Sequence, residues 1–182
     1  TSLFVVGAGQ MGVGIVQLAA QAGLRAVLMD VSENLVQGGI KRIEQSLQDR
    51  VDKSKMDIKD KDVILSRIEI AKGIEEASLA DFVIEAVVED IEIKKEVFAE
   101  LDKVTDANVI LASNTTALSI SEIASVTENP ERVIGMHFFN PPVVMKLIEI
   151  IPGIVTKVEV INSAREFALA LGKDPIVTKI ET

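Results

Sequence analysis

The segment that most constrains the fold is a cluster of glycines between two apolar stretches near the start of the chain. Residues 2–6, SLFVV, form a short continuous apolar run that is typical of a buried strand. GAGQMG follows at once, and an apolar helix is predicted from residue 10 to Gly23, a residue type that often ends helices. A strand, a glycine-rich turn and a helix in this order predict the first unit of an α/β sheet.

The rest of the chain continues this alternation of strands and helices. Further strands are predicted at residues 25–30, 67–71, 81–87, 108–113, 132–138, 146–151 and 175–178. A helix is predicted at residues 91–104, capped by Asp90, with an inward face of Ile93, Val97, Leu101 and Val104. Another is predicted at residues 157–171, with Ile161, Ala164, Ala168 and Leu171 facing inward and Gly172 closing it. We therefore expect residues 1–182 to form one Rossmann-type, doubly wound domain with a mostly parallel sheet.

One connection is longer than this scheme needs. Thirty-six residues separate Asp30 from Arg67, whereas a crossover between parallel strands usually needs one short helix. Residues 33–56 and 57–68 each have helical character, which predicts a helical hairpin inserted after the second strand. The alternative is a longer, solvated crossover.

Composition excludes several classes of function. With 3% aromatic residues and neither Trp nor Tyr, the core is expected to be aliphatic, and a net charge of −9 argues against a nucleic-acid partner. The absence of Cys rules out disulfides and thiolate metal sites, and no metal site is predicted. The start of the chain has no basic signal-peptide region, and no apolar run approaches the roughly 20 residues that span a bilayer. These features predict a cytoplasmic protein without a membrane partner.

The glycine cluster has the spacing of a dinucleotide-binding loop. Gly7 permits a tight turn, Gly9 lets the backbone approach a pyrophosphate, and Gly12 allows the helix to pack close to the strand. Asp30 ends the second strand, where a carboxylate can bind ribose hydroxyls and would repel a 2′-phosphate, which favours NAD over NADP. The alternative is a simple glycine-rich turn, with Asp30 capping the helix that follows.

The single histidine of the chain stands in an unusual setting. His137 lies near the end of a predicted strand and is followed by the Asn140-Pro-Pro turn, and Glu149 is the only acid in the next apolar strand. Open α/β sheets bind ligands at the carboxyl ends of their strands, and a carboxylate beside an imidazole can orient a catalytic base. The alternatives are a core histidine and a surface glutamate.

At this point a family resemblance is clear. GAGQMG, SNTT, HFFNPP and MKLIEII are similar to the NAD-binding domain of L-3-hydroxyacyl-CoA dehydrogenases, including the 3-hydroxybutyryl-CoA enzymes of bacteria and archaea. The resemblance covers essentially the whole chain. It implies that His137 is the general base, that Glu149 orients it, and that Asn140 lies at the nicotinamide and substrate end. It also implies that the loop from Gly7 to Gly12, with Gln10 and Met11, binds the cofactor NAD.

The same resemblance implies further ligand contacts. Glu89 and Lys94 match an acid and a lysine that contact the cofactor, although the residues alone would indicate a solvated helix start. Ser46 and Lys53 match a serine and a lysine of the family's helical hairpin that bind CoA. An acyl-CoA is therefore the expected substrate.

Two departures from the family pattern bear on activity. Thr116 stands where the family usually has a serine that reaches substrate and nicotinamide, and its extra methyl group stiffens and crowds the site. The family also continues into a helical domain that supplies dimer contacts and part of the acyl-CoA pocket. We expect an isolated or shortened domain whose parent enzyme is a homodimer through that missing part.

These features predict NAD-dependent oxidation of an L-3-hydroxyacyl-CoA. His137 is expected to act as base, Glu149 to support it, and Thr116 and Asn140 to position the reacting groups. One alternative is another dehydrogenase of the same fold that acts on a free 3-hydroxy acid or sugar acid. The other is a non-catalytic NAD-binding protein.

Overall fold

A computed structural model of the chain describes residues 1–179. Within these residues, eight strands form one sheet: β1 (Ser2–Val6), β2 (Arg25–Met29), β3 (Ile68–Ile70), β4 (Phe82–Glu85), β5 (Ile110–Ser113), β6 (Val133–Phe138), β7 (Leu147–Pro152) and β8 (Asp174–Val177). The same part of the chain forms six α-helices: α1 (Gln10–Gln21), α2 (Glu33–Asp52), α3 (Ile58–Leu65), α4 (Ile91–Val104), α5 (Ile120–Ala124) and α6 (Val158–Ala170). Short 3₁₀ helices span Ile74–Leu79 and Pro130–Arg132.

The sheet order confirms the predicted doubly wound fold. The strands lie in the order β3-β2-β1-β4-β5-β6-β7-β8, and the first six strands of the chain pair in parallel. Among the strands of residues 1–179, only β6 and β7 pair antiparallel, while β7 and β8 pair in parallel. The eight residues between them are too few for a crossover, which needs about a dozen or more, so the chain turns straight back. The predicted mostly parallel sheet is therefore confirmed.

The core forms two layers, one on each face of the sheet. One layer joins α1, α2 and α6 to the sheet, and the other joins α4 and α5 to its opposite face. Both layers are dominated by Val, Ile, Leu and Ala, as the composition predicts. Phenylalanine still contributes, because Phe82 and Phe167 stack with their ring centroids 4.3 Å apart.

The long connection after β2 forms the two predicted helices, α2 and α3. They contact each other, and α2 also packs along α1. Val36, Ile43 and Leu47 of α2 are buried in the same core as α1, so the hairpin is anchored to the domain rather than standing free of it. The alternative of a longer, solvated crossover is wrong, because the apolar residues of α2 recur at helical spacing and are buried against the domain.

The predicted inward face of α4 is partly wrong. Its most buried side chains are Lys94, Phe98 and Leu101, whereas Ile93 is 40% exposed. The buried face of the helix is therefore turned by roughly 70° from the predicted face, with Leu101 belonging to both. A buried ion pair of Lys94, described below, accounts for this rotation.

Candidate active site

The glycine loop joins β1 to α1 and has the geometry that each glycine predicts. Gly7 has φ +110°, and a Cβ there would lie 2.5 Å from the carbonyl oxygen of Ala86. A Cβ on Gly12 would lie 1.9 Å from the carbonyl oxygen of Gly7, so only glycine permits this close approach of helix and loop. A Cβ on Gly9 would meet nothing within 4 Å, because this residue faces open space. The loop thus presents bare backbone at Gly9.

The first turn of α1 is left open for an anion. Gly9 is the N-cap, and no side chain caps the helix. The first N–H groups of a helix have no acceptor within it, so those at Gln10 and Met11 need an outside partner. Met11 is half-buried against the core, which leaves its backbone rather than its side chain to face a ligand. Free N–H groups and the positive end of the helix dipole fit a pyrophosphate without any basic patch.

Asp30 connects the end of β2 to the glycine loop. Its Oδ2 accepts a hydrogen bond from the Ala8 N–H at 2.7 Å, and its Oδ1 accepts from the Ser32 N–H at 2.9 Å. Ser32 itself caps α2 through its side chain. Each carboxylate oxygen has a second lone pair, so a contact with ribose hydroxyls stays compatible with these bonds. That contact remains a prediction.

A cleft opens beside the glycine loop at the carboxyl ends of β1, β2 and β4. It has a volume of about 430 Å³ and includes Gly7, Gly9 and Asp30. Its walls are mainly apolar: Val6, Met29, Val31, Leu35, Ile74, Ala86, Val87, Val88, Ile93 and Val97. The chain builds the sheet from β1 through β2 to β3 and then returns to place β4 on the other side of β1, and open α/β sheets bind nucleotides at such a switch point. An apolar cleft next to the carboxylate of Asp30 suits an adenine ring.

A buried ionic network lies at the carboxyl ends of β4 and β5. Lys94 and Glu85 have no exposed side-chain surface, and Lys94 Nζ lies 2.7 Å from Glu85 Oε1. Glu85 also accepts hydrogen bonds from Ser113 Oγ at 2.6 Å and from the Val87 N–H at 2.7 Å. The interpretation of Lys94 as a solvated residue is therefore wrong. Its ammonium group joins the ends of β4 and β5 to α4.

Glu89 links this network to the segment that contains Thr116. Lys94 Nζ lies 3.4 Å from Glu89 Oε2, while Glu89 Oε1 accepts hydrogen bonds from the hydroxyl of Thr115 and from the backbone N–H of Thr116 at 2.9 Å. Burial alone would raise the pKa of Glu89, but these hydrogen bonds and the charge of Lys94 outweigh it, so the pKa lies below its ordinary value. Glu89 is thus an ionised acceptor whose side chain is 40% exposed.

Thr116 is tied to Glu89 as well. Its hydroxyl lies 3.2 Å from Glu89 Oε1, and the residue is exposed. A hydroxyl that donates to a carboxylate keeps two lone pairs for another donor. The structure therefore brings Glu89, Lys94 and Thr116 together, while the contact of each with a ligand stays a prediction.

His137 and Glu149 lie directly opposite each other on β6 and β7. Opposite residues of an antiparallel pair point to the same face of the sheet. His137 Nδ1 lies 2.8 Å from Glu149 Oε2. Because an ionised carboxylate only accepts hydrogen bonds, the neutral ring carries its hydrogen on Nδ1, and Nε2 is left as a proton acceptor. The predicted pairing of the two side chains is confirmed, and the Phe139 ring packs against the imidazole at 4.4 Å between centroids.

The turn between β6 and β7 brings Asn140 to the glycine loop. Gln10 Nε2 donates to Asn140 Oδ1 at 3.3 Å, and a Cβ on Gly14 of α1 would lie 2.9 Å from the ring of Pro142. The Asn140-Pro141 peptide bond is cis. The turn therefore rests on the first turns of α1, which places Asn140 between the glycine loop and the strand that carries His137.

Lys173 is hydrogen-bonded to the backbone of this turn. It is 5% exposed, and its ammonium group donates hydrogen bonds to the carbonyl oxygens of Pro142 and, at 2.7 Å, of Met145. Burial and the nearby charge of Lys146 lower the pKa of Lys173 from its ordinary value. Charge-assisted bonds to two carbonyls hold the turn in place.

Ser46 and Lys53 lie on α2, away from the cleft. Ser46 Oγ accepts a hydrogen bond from Gln17 Nε2 of α1 at 3.0 Å. Lys53 is exposed at the end of the helix. Ser46 is partly exposed and Lys53 is exposed, and their contact with CoA stays a prediction.

Two residues of the site escaped the sequence prediction. Glu85 is the only acid in the apolar run of β4, which is the same signal that drew attention to Glu149. Lys173 directly follows a helix-ending glycine, where lysines are common on the surface, so its burial had no signal in the sequence. Across residues 1–179, no helix is long and apolar enough to cross a membrane, and no group of three or more His, Cys, Asp or Glu could hold a metal ion.

The doubly wound sheet, its glycine loop and the acid at the end of β2 define an NAD-binding domain of the Rossmann type. Residues 2–181 match the family model described as the NAD binding domain of 3-hydroxyacyl-CoA dehydrogenase. The chain therefore belongs to this family.

Known relatives support this assignment. A probable 3-hydroxybutyryl-CoA dehydrogenase of Bacillus subtilis is 43% identical over 174 residues, which cover 96% of this chain and 61% of that protein. The human mitochondrial hydroxyacyl-coenzyme A dehydrogenase is 40% identical over 182 residues, with coverage of 96% and 58%. The crystal structure of (S)-3-hydroxybutyryl-CoA dehydrogenase from Ralstonia eutropha is 38% identical, with a TM-score of 0.96 and coverage of 100% and 64%. The chain thus spans about three fifths of the length of these relatives.

Proposed function

We propose that this chain is the NAD-binding part of an enzyme that oxidises L-3-hydroxyacyl-CoA to 3-ketoacyl-CoA. The observation that carries the proposal is the His137–Glu149 pair, 2.8 Å apart, at the carboxyl end of β6. NAD binding alone needs neither residue. A paired imidazole and carboxylate beside a nucleotide-binding loop are suited to removing a proton from an alcohol.

The chemistry follows from the state of the imidazole. Nε2 of His137 takes the proton of the substrate 3-hydroxyl, and the negative charge of Glu149 stabilises the imidazolium that forms. When bound, NAD supplies the acceptor for the hydride that leaves carbon 3 as the C–O bond becomes a carbonyl. In the reverse direction, the imidazolium of His137 returns the proton to the oxygen of a 3-ketoacyl-CoA.

Other residues position the reactants. Asn140 and Thr116 would position the nicotinamide and the reacting oxygen. Each is held by a neighbour, Gln10 in one case and Glu89 in the other. Ser46 and Lys53 would bind the CoA moiety from α2. The reaction is that of fatty-acid β-oxidation or butanoate metabolism, and the parent enzyme would be a homodimer through the additional length that the relatives have.

Binding and turnover test the proposal separately. Calorimetric titration of the chain with NAD and with CoA should show both ligands binding. NADH oxidation by acetoacetyl-CoA should be measured with this chain and with a chimera that adds the C-terminal region of a relative after residue 182. His137→Gln should lower turnover of the active form by about 10²–10⁴-fold, the usual contribution of a general base.

Three results would contradict parts of the proposal. Near-normal turnover by the His137→Gln variant would show that the base is wrong. Turnover of free 3-hydroxybutyrate without any effect of CoA would indicate a dehydrogenase for free hydroxy acids. NAD binding without turnover in the chimera would indicate a non-catalytic domain.

A further inference from the structure

Asn114 is a buried amide that joins two neighbouring strand ends. It follows β5 directly, and it is 9% exposed. Its Oδ1 accepts a hydrogen bond from the backbone N–H of Phe138 at 2.9 Å. Phe138 is the last residue of β6 and directly follows His137. A side chain at the end of β5 therefore holds the backbone of β6 beside the candidate base.

This bond continues the connection of β5 and β6 beyond the point where their backbone ladder stops. The register of the two strands ends with Ser113 opposite Gly135, three residues before the end of β6. On its other edge, β6 stays paired with β7 as far as Phe138. A buried backbone N–H needs an acceptor, and the carboxamide of Asn114 supplies it on the β5 side.

Asn114 is itself fixed by the end of β4. Its backbone N–H donates to the carbonyl oxygen of Glu85 at 2.8 Å. The residue before it, Ser113, donates its hydroxyl to the carboxylate of Glu85 at 2.6 Å, and the residue after it, Thr115, donates its hydroxyl to Glu89. The amide is therefore held on both sides by the ionic network, which gives it a firm base from which to hold β6.

The bond connects the two parts of the candidate site. Thr116 lies two residues after Asn114, and His137 lies one residue before Phe138. The orientation of the imidazole ring depends on Glu149 of β7 and not on Asn114. The bond of Asn114 thus sets where the imidazole lies relative to Thr116, while Glu149 sets how the ring is turned.

We propose that Asn114 is a positioning residue that fixes the distance between the base His137 and the part of the site around Thr116. The proposal rests on the proposed function, because this distance matters only if a substrate loses its proton to His137 and its hydride to a nicotinamide beside Thr116. Both transfers occur on one small group of atoms, and a misplacement of 1 Å can cost about 10²-fold in rate.

The experiment measures kcat for NADH oxidation by acetoacetyl-CoA in the chimera described above. Asn114→Leu keeps a similar shape without the acceptor, and it should lower kcat by about 10- to 100-fold. The KM for acetoacetyl-CoA and the calorimetric Kd for NAD should stay within about threefold. Nitrogen-15 NMR should still find the ring hydrogen of His137 on Nδ1, because the contact with Glu149 is untouched.

Two further variants test whether the acceptor is what matters. Asn114→Asp keeps an oxygen that can accept the N–H of Phe138, so it should turn over faster than Asn114→Leu. Asn114→Ala removes the acceptor without demanding space. It should lose kcat as Asn114→Leu does, so the result does not depend on the folding of one variant.

Thr156→Val is the matched control. The hydroxyl of Thr156 donates to the carbonyl oxygen of Val133 at 2.8 Å and accepts from the N–H of Gly153 at 2.9 Å. It is also a side chain that bonds the backbone of β6, but at the opposite end of the strand. This variant should lower the unfolding temperature while kcat stays within about twofold. An equal loss of kcat here would overturn the proposal in favour of a general effect of strand stability.

Other results would overturn the proposal in distinguishable ways. If Asn114→Leu and Asn114→Ala keep a near-normal kcat, or if Asn114→Asp is no faster than Asn114→Leu, the bond to Phe138 does not position the base, and the proposed function stands. If the wild-type chimera binds NAD but does not turn over acetoacetyl-CoA, the proposed function fails together with the role of Asn114.

Discussion

Two glutamates in apolar strands, Glu85 and Glu149, each have a nitrogen partner in the structure. Glu149 pairs with the imidazole of His137, while Glu85 pairs with the ammonium group of Lys94. A carboxylate in an apolar strand is costly unless it is paired. Each glutamate therefore indicates a position where the sheet fixes a polar partner. Glu149 orients the candidate base, and Glu85 anchors the start of the segment that carries Glu89.

Removal of Glu149 should change the hydrogen position on the imidazole. In the wild type at a pH where the ring is neutral, the hydrogen should lie on Nδ1, because that nitrogen faces the carboxylate. In Glu149→Ala, it should move toward Nε2. Since His137 is the only histidine, nitrogen-15 NMR of the ring is unambiguous. Glu131→Ala, remote and paired with Lys157, should leave the spectrum unchanged, and an Nε2–H ring in the wild type would refute the assigned pairing.

Breaking the buried pair of Glu85 and Lys94 should destabilise the fold. Lys94→Met leaves the carboxylate of Glu85 without its cation, and the loss should be about 3–5 kcal/mol of unfolding free energy. The double variant Glu85→Gln/Lys94→Met should recover part of this loss. Urea unfolding measures both effects. The control, Lys95→Met, changes a neighbouring lysine with exposed partners and should alter stability little, whereas an equal loss there would contradict the role of burial.

At the level of elements, the start of α1 depends on the absence of side chains. A methyl group at Gly12 would overlap the carbonyl of Gly7, so Gly12→Ala should both destabilise the chain and abolish NAD binding. Gly38 is also helical, but a Cβ there has space. Gly38→Ala should therefore stabilise the chain by up to about 1 kcal/mol through the higher helix propensity of alanine. Thermal unfolding with and without NAD tests both, and a mild effect at Gly12 would contradict the close packing.

A second buried ion pair connects α4 to the start of β6. Asp102 Oδ1 lies 2.7 Å from Arg132 Nη2, and both side chains are 4% exposed. Burial would raise the pKa of Asp102, but the bonds from Arg132 and Glu128 outweigh it and lower the pKa below 3.8. The unfolded chain therefore binds the proton first as the pH falls. The stability that this pair contributes is present above about pH 3.8 and is lost between that pH and the lower folded pKa.

The Asp102→Asn variant tests this pH dependence. It should lose stability at pH 7, because Arg132 keeps its buried charge without a counterion. Its stability should then fall less steeply than that of the wild type below about pH 4. Urea unfolding from pH 3 to pH 7 measures the difference between the two chains. Parallel curves would show that Asp102 does not titrate differently in the folded state.

At the level of the whole molecule, an acidic protein holds an anionic cofactor without a basic surface. The net charge is −9, and the cleft at Gly9 is bordered by backbone N–H groups and apolar side chains. A higher salt concentration screens the electrostatic repulsion between the acidic protein and the anionic cofactor. It has no ion pair with NAD to weaken, because backbone N–H groups bind the pyrophosphate in this proposal. We therefore expect NAD affinity to stay constant or rise slightly from low to 0.5 M salt in calorimetry. A tenfold loss would show that cations bind the pyrophosphate.

Much of this molecule could be predicted from its sequence, and the failures have a physical cause. The glycine loop, the alternation of strands and helices and the pairing of His137 with Glu149 depend on short patterns in the sequence. The burial of Lys94 and Lys173 depends on partners 9 and 31 residues away, so neighbouring residues give no sign of it. The direction of β7 could have been inferred from the short turn before it, since eight residues cannot make a crossover.

The antiparallel pairing of β6 and β7 has a consequence for how this site tolerates change. His137 faces Glu149 because backbone hydrogen bonds on either side of them fix the alignment of the two strands. The turn from Phe139 to Lys146 could lengthen or shorten without separating the pair, as long as that alignment holds. A slip of one residue in the pairing would instead place Glu149 on the opposite face of the sheet, and the imidazole would lose its carboxylate partner. The distance between the imidazole and the carboxylate is thus set by the ladder of the sheet, and the pair forms without any ligand.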